Sequence, residues 1–292
     1  MPDPQPQLVW SEEELRYLEP PPRVSRRNLS NPLRRVLAAQ PVAHPHELTR
    51  SSIVYAPAGE RHGNFVDASY RRILANPAWS RRLEKAHTAK RQARPTGPNE
   101  ERRAWRELDA ATSSDALLMN IFCYPRLLAG AALPTLLGVE RGLVPEFGYR
   151  PALKLERSLK DRTEIDMRLG SLLVEAKLTE SGFQTAPLRL FERYPRCYDV
   201  FDRDALRCFD GKVDHYQLLR SILAADAEDA EFCLVIDAHR TDLIACWSVT
   251  LGAVRLYDLR PRLKLLTWQE IARTVSAPLR KFLGAQYDIH PE

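Results

Sequence analysis

Long apolar runs are missing from this chain. No stretch of 18 or more consecutive apolar residues occurs, so no membrane-spanning helix and no membrane partner are expected. The opening residues, MPDPQPQLVW, carry neither the basic nor the apolar part of a secretory leader, and none is expected. Cysteine is sparse and odd in number: Cys123, Cys197, Cys208, Cys233 and Cys246, never at Cys-x-x-Cys spacing. That pattern argues against a disulfide framework and against a thiolate zinc site, and it points to a reducing cytoplasm. No internal repeat is present. Excess charge is small as well, +5 over 292 residues, which permits a nucleic-acid partner without requiring one.

Proline is abundant instead. The 22 prolines gather toward the N-terminus, in PDPQPQ, EPPPR and AHPHE. Residues 1–60 therefore read as a mostly extended, partly disordered arm, and residues 61–292 as one domain. Within it, 61–110 reads as a basic helical part and 111–292 as the core. The distribution of charge says more than its total. Between residues 71 and 106 the net charge is +8, leaving the remainder at −3. Arg81, Arg82, Lys90, Arg91, Arg102 and Arg103 are the candidate contacts to a polyanion backbone, with a solvated helix face as the alternative.

Downstream, SSDALLMNIF reads as a helix with Ser114 as its cap and Leu117, Leu118, Ile121 and Phe122 as its buried stripe, ending near Pro125. PALKLERSLK alternates as a half-buried strand does. VDHYQLLRSILAADAED is an amphipathic helix, EFCLVI a central strand, and TDLIACWSVTLG a helix capped by Thr241. RLKLLTWQEIARTV is a strand entering a helix through a Thr267–Glu270 capping box. Helix, three strands, then alternating helices and strands describe an α/β fold with a mixed sheet covered by helices.

The segment TEIDMRLGSLLVEAKL places charges inside an apolar hairpin. A two-residue turn at Gly170–Ser171 pairs Leu169 with Leu172, Met167 with Val174, and Asp166 with Glu175. Glu164, Asp166, Glu175 and Lys177 then share one face; Ile165, Met167, Val174 and Ala176 share the other. Two carboxylates with Cβ atoms about 4.5–5.5 Å apart repel unless a cation lies between them. Two carboxylates and a main-chain carbonyl are hard oxygen donors that suit Mg²⁺, and Lys177 can reach a water or phosphate oxygen beside it. The alternative is a solvent-exposed hairpin face with a Glu164–Lys177 ion pair.

Asp166, Glu175 and Lys177 resemble the signature of the PD-(D/E)XK nuclease superfamily: an Asp, then Glu-x-Lys on the adjacent strand. SSDALLMNIF, VEAKLTE and YQLLRSILAA resemble successive blocks in a branch of bacterial restriction-endonuclease-like proteins, spanning about residues 100–275. Ile165 stands where the superfamily pattern has proline. The resemblance implies a restriction-endonuclease-like mixed sheet and Mg²⁺-dependent hydrolysis of DNA to 5′-phosphate products, with Mn²⁺ as an alternative ion. It implies Asp166, Glu175 and the Ala176 carbonyl as metal ligands, and Lys177 as the group that positions or deprotonates the attacking water. Asp115 is a further candidate ligand, with a helix-dipole role as its alternative. Glu164 would hold Lys177 in place. Gln217 would touch the attacking water or a phosphate and Arg220 the nucleic acid, against a reading of both as surface residues. Homodimerisation stays open, and so does a catalytically inactive nucleic-acid-binding protein of the same fold.

Overall fold

A computed structural model of the chain describes residues 44–48, 52–86, 105–156, 161 and 163–291. Its centre is a five-stranded mixed sheet. Strands β1 (Glu146–Tyr149), β2 (Ile165–Leu169) and β3 (Leu172–Ala176) form an antiparallel meander, and β4 (Glu231–Ile236) and β5 (Leu263–Thr267) extend it in parallel, in the spatial order β5-β4-β3-β2-β1. β4 has parallel neighbours on both sides, and Phe232–Ile236 are all buried. A strand covered on both faces must be apolar throughout, which is why EFCLVI shows no polar alternation.

The pleat sends alternate side chains of β4 into two different cores. Phe232, Leu234 and Ile236 join Leu173 of β3 in a cluster with helices α4 (Tyr216–Ala227) and α5 (Thr241–Ala253). Cys233 and Val235 join Leu172, Val174 and Ala176 in the opposite cluster. After helix α1 (Asp67–Ala75), that second face is covered by α2 (Ser114–Phe122), α3 (Ala132–Leu137), α6 (Trp268–Thr274) and α7 (Ala277–Tyr287). Leu117, Leu118, Ile121 and Phe122 are all buried there, as their helical spacing predicts. Helices on both faces of a mixed sheet give three layers.

Local rules account for most boundaries. Gly170 has φ +62° and Ser171 does not share a positive φ, which fits a type II′ rather than a type I′ turn. The register is the expected one at Leu169–Leu172, Arg168–Leu173 and Met167–Val174. The Thr267–Glu270 capping box is present. The cap of α2 lies one residue earlier than expected: Ser113 Oγ accepts from the Ala116 N–H at 3.2 Å. Ser114 is occupied elsewhere, donating to Glu180 Oε1 at 2.6 Å. Helix α5 begins at Thr241 with no side-chain cap; the preceding Arg240 is buried and forks onto Asp242 at 2.8 Å.

Among the described residues 151–156 of PALKLERSLK the expected strand is not formed; Lys154 makes only an isolated bridge. The first strand of the sheet lies upstream at Glu146–Tyr149, pairing Phe147 with Met167 and Tyr149 with Ile165. Pro151 lacks the N–H that a ladder needs, so the chain leaves the sheet there while still burying Leu153 in the core.

Residues 1–43 lie outside the described residues. Near the end of the expected arm, His46–Leu48 pairs with Ile53–Tyr55, and Pro57–Ala58 pairs with Arg61–His62. Ile53, Val54 and Tyr55 are buried, and the Ala111 N–H donates to the Ile53 carbonyl at 2.8 Å, so this stretch packs on the body. Buried polar groups hold this part in place: Tyr287 Oη, near the other end of the described chain, donates to the Asn64 carbonyl, and His62 bonds Asp109, both at 3.1 Å. Among the described residues, no helix is long and apolar enough to cross a membrane.

Candidate active site

The site forms where β2 and β3 part. Their ladder runs from the turn to Met167–Val174. Beyond that pair, the Ala176 N–H donates to Asp166 Oδ2 at 2.8 Å, so a side-chain carboxylate stands where a strand would offer a carbonyl. β3 continues into Lys177, whose N–H donates to the Val235 carbonyl at 2.8 Å and whose carbonyl accepts the Trp268 indole N–H at 2.8 Å. These bonds fix the backbone on either side of the Lys177 Cα and so aim its side chain.

Glu175 and Lys177 point the same way and both are buried, at 1% and 6% exposure. The Lys177 ammonium donates to Glu175 Oε1 at 3.0 Å and lies 5.8 Å from the centre of the Phe183 ring. Gln217, in the first turn of α4, also donates to Glu175 Oε1. The other oxygen, Oε2, is buried without a hydrogen-bond partner among the described residues. An ionised oxygen left bare in the interior costs several times what an ordinary hydrogen bond returns.

Asp166 and Gln217 line a half-open cavity of about 550 Å³, together with Arg82, Lys85, Arg150, Glu164, Tyr216 and Arg220. Burial, then the charges of Glu175 and Asp115, push the Asp166 carboxyl well above the usual carboxylate range, against the pull of Lys177 and Lys85. Lys177 is shifted up. Its burial opposes the charged form, but Glu175, Glu180 and Asp166 outweigh that, so in this arrangement it keeps its proton.

Asp115 sits in the first turn of α2 and faces two cations. Arg82 Nη2 donates to both of its oxygens at 3.1 Å, and Lys85 Nζ donates to Oδ2 at 2.5 Å. Although burial raises it, those two charges hold its carboxyl below the usual range. Glu164 accepts from Arg82 Nη1 at 2.6 Å and from Arg150 at 2.9 Å. The expected Glu164–Lys177 contact is therefore replaced on both sides: Lys177 bonds Glu175, and Glu164 bonds two arginines. Arg220 is buried, donating to the Glu164 carbonyl at 3.4 Å, with Asp161 4.0 Å away. Arg81 is exposed. Arg82 is not a surface contact: at 8% exposure its charge is spent on Asp115 and Glu164. Lys90, Arg91, Arg102 and Arg103 lie outside the described residues. Among the described residues, no group of three or more His, Cys, Asp or Glu side chains is arranged to hold a metal ion.

The family model described as restriction endonuclease associating with ARP matches residues 39–288. The chain belongs to this restriction-endonuclease family. No curated protein and no solved structure matches it. The match covers the whole five-stranded sheet and all the candidate site residues, so fold and family agree on the same stretch of chain.

For this member of the restriction-endonuclease family, several site residues escaped the sequence reading. Lys85 and Arg150 line the cavity, and neither carries a motif. Gly148 is a third: it has φ +65°, and a Cβ there would run into the Arg82 guanidinium and meet Glu164 Oε2 at 3.2 Å. A glycine inside a strand was the available signal. Trp268, fully buried behind Lys177, carries no motif of its own.

Proposed function

We propose that the chain is a divalent-metal-dependent nuclease that hydrolyses phosphodiester bonds in DNA. The observation that carries this reading is Glu175, a buried carboxylate with Lys177 and Gln217 on one oxygen and, among the described residues, no partner on the other. Buried charges are paired or bind metals, and here the protein pairs only half of the carboxylate. The donors present fit Mg²⁺, with Mn²⁺ as an alternative: the Asp166 and Glu175 carboxylates and the Ala176 carbonyl are hard oxygens.

Such an ion, when bound, polarises a phosphoryl oxygen and makes a water acidic enough to attack at neutral pH. The chain's own groups supply the rest. Lys177, locked through its backbone by Val235 and Trp268, offers ammonium donors to a water or a phosphate oxygen. Gln217 forms part of the cavity wall in front of Glu175 and contacts what enters. Arg150 and Arg220 place positive charge along the cavity to receive the phosphate. Arg81, with Lys90, Arg91, Arg102 and Arg103 nearby in sequence, would hold the DNA backbone through contacts that position it without reading its sequence. Attack of water in line breaks the bond to the 3′ oxygen and leaves a 5′-phosphate.

Plasmid cleavage with Mg²⁺, Mn²⁺ or EDTA, on wild type and Lys177→Ala, tests the reading. Metal-dependent nicking that disappears in the variant is expected. No metal-dependent activity on double-stranded, single-stranded or branched substrates would sink it in favour of an inactive nucleic-acid-binding protein.

A further inference from the structure

Four carboxylates gather at the site: Glu164 and Asp166 line the cavity, while Asp115 and Glu175 sit behind it, bonded to the lining residues Arg82, Lys85 and Gln217, and the four fall into two classes. Asp115 and Glu164 are saturated by cations of the chain itself. Both oxygens of Asp115 accept from Arg82 and one also from Lys85; both oxygens of Glu164 accept from arginines. Asp166 and Glu175 are not saturated in this way. Asp166 receives a main-chain N–H, and Glu175 keeps a buried oxygen with no partner. An added divalent ion gains most where negative charge is uncompensated, and least where it must displace a cation already seated.

The two seated cations are held by their own scaffold. Asn76 caps the turn before them, accepting from the Ala78 and Trp79 N–H groups at 3.0 and 3.3 Å. The Trp79 indole donates to the Pro145 carbonyl at 2.9 Å, anchoring that turn beside β1. On the other side, the Glu107 N–H donates to the Lys85 carbonyl at 2.8 Å and Ala86 bridges Arg106. Gly148 leaves the space that Arg82 fills. Packing from three directions thus keeps both positive charges at Asp115, and both side chains also line the cavity.

We propose that Arg82 and Lys85 form a built-in cation pair that withdraws Asp115 from metal binding and limits the site to one divalent ion, held at Asp166 and Glu175. This inference rests on the metal-dependent reading above.

Mn²⁺ titration of the full chain, followed by calorimetry and by loss of free-ion electron paramagnetic resonance signal, tests it. Wild type should bind one Mn²⁺ per chain. Lys85→Ala, which frees one Asp115 oxygen of its ammonium, should take up a second, weaker Mn²⁺. The double variant Lys85→Ala/Asp115→Asn should return to one. Lys85 is a third exposed, so truncation is expected to leave the fold intact; Lys85→Met, which keeps the aliphatic stem, repeats the measurement if it does not. Two Mn²⁺ in wild type with one lost in Asp115→Asn would overturn the proposal, as would one Mn²⁺ of unchanged affinity in both Lys85 variants. A wild type that binds no Mn²⁺, or binds it equally well as Glu175→Gln, refutes the metal site itself and this inference with it.

Discussion

The Lys177 ammonium lies 3.0 Å from Glu175 Oε1, and both side chains are almost completely buried. Each is the principal counter-charge of the other. Deleting either partner strands a charge in the interior, at a cost of about 3–5 kcal/mol. Glu175→Ala and Lys177→Ala should each lower the free energy of unfolding by that order, read from chemical denaturation. The double variant should be clearly less unstable than the sum of the two. Additive losses in a double-mutant cycle would show that the two groups are not coupled.

Lys177→Ala should also reduce cleavage by roughly 10²–10³-fold, the usual effect of removing one aimed donor at developing charge. Steady-state rates on a plasmid substrate, measured well below the melting temperature of the variant, separate this loss from instability.

Divalent ions should stabilise the folded chain. An ion that binds the native site and not the unfolded chain adds about 2.7 kcal/mol at one hundred times its dissociation constant. Thermal denaturation with Mg²⁺ against EDTA should show the shift in wild type and none in Asp166→Asn. A shift that survives in the variant places the ion elsewhere.

Gly148→Ala introduces a Cβ against Arg82 and Glu164 at φ +65°. Backbone strain of this kind costs about 1–3 kcal/mol. Chemical denaturation should record that loss, and displacement of Arg82 should weaken its hold on Asp115. An unchanged midpoint would mean that the Arg82–Glu164 contact yields without penalty.

Asp161 provides a pH signature away from the candidate metal ligands. Burial raises its carboxyl, but hydrogen bonds from Thr163 and Tyr194 and the charge of Arg220 outweigh this and leave it below its ordinary value of 3.8. A carboxylate depressed in the folded state adds stability above 3.8, and that contribution is lost as pH falls through the lower folded value. Asp161→Asn should therefore destabilise at neutral pH and flatten the acid limb of the stability curve. Parallel acid limbs for the two proteins would refute the assignment.

Binding of DNA through the basic segment should weaken steeply with salt, with log K falling by about 0.9 per phosphate contact for each decade of salt. Lys90→Ala/Arg91→Ala should make that slope shallower without altering sequence preference. A slope unchanged by the double substitution would remove this segment from the interface.

Much of the fold was legible in residue order. The turn at Gly170–Ser171, the register of β2 on β3, the apolar run Phe232–Ile236 of β4 and the Thr267–Glu270 box depend on neighbours a few residues apart. The first strand was not: PALKLERSLK alternates correctly and buries Leu153, but the strand forms upstream where β2 offers a partner. Alternation reports which side chains are buried and says nothing about which backbone finds a neighbour.

For the site, the sequence alone determined that Asp166, Glu175 and Lys177 belong to one hairpin, because side-chain direction follows from counting along a strand. Only the tertiary structure decided the partners of each charge. Lys177 turned to Glu175 rather than Glu164, Arg82 went inside rather than onto a surface, and Asp115 became the seat of two cations. The last two choices depend on groups 30 to 82 residues apart in sequence meeting in a low-dielectric interior, where every charge must find a partner and local pattern carries no information about which one.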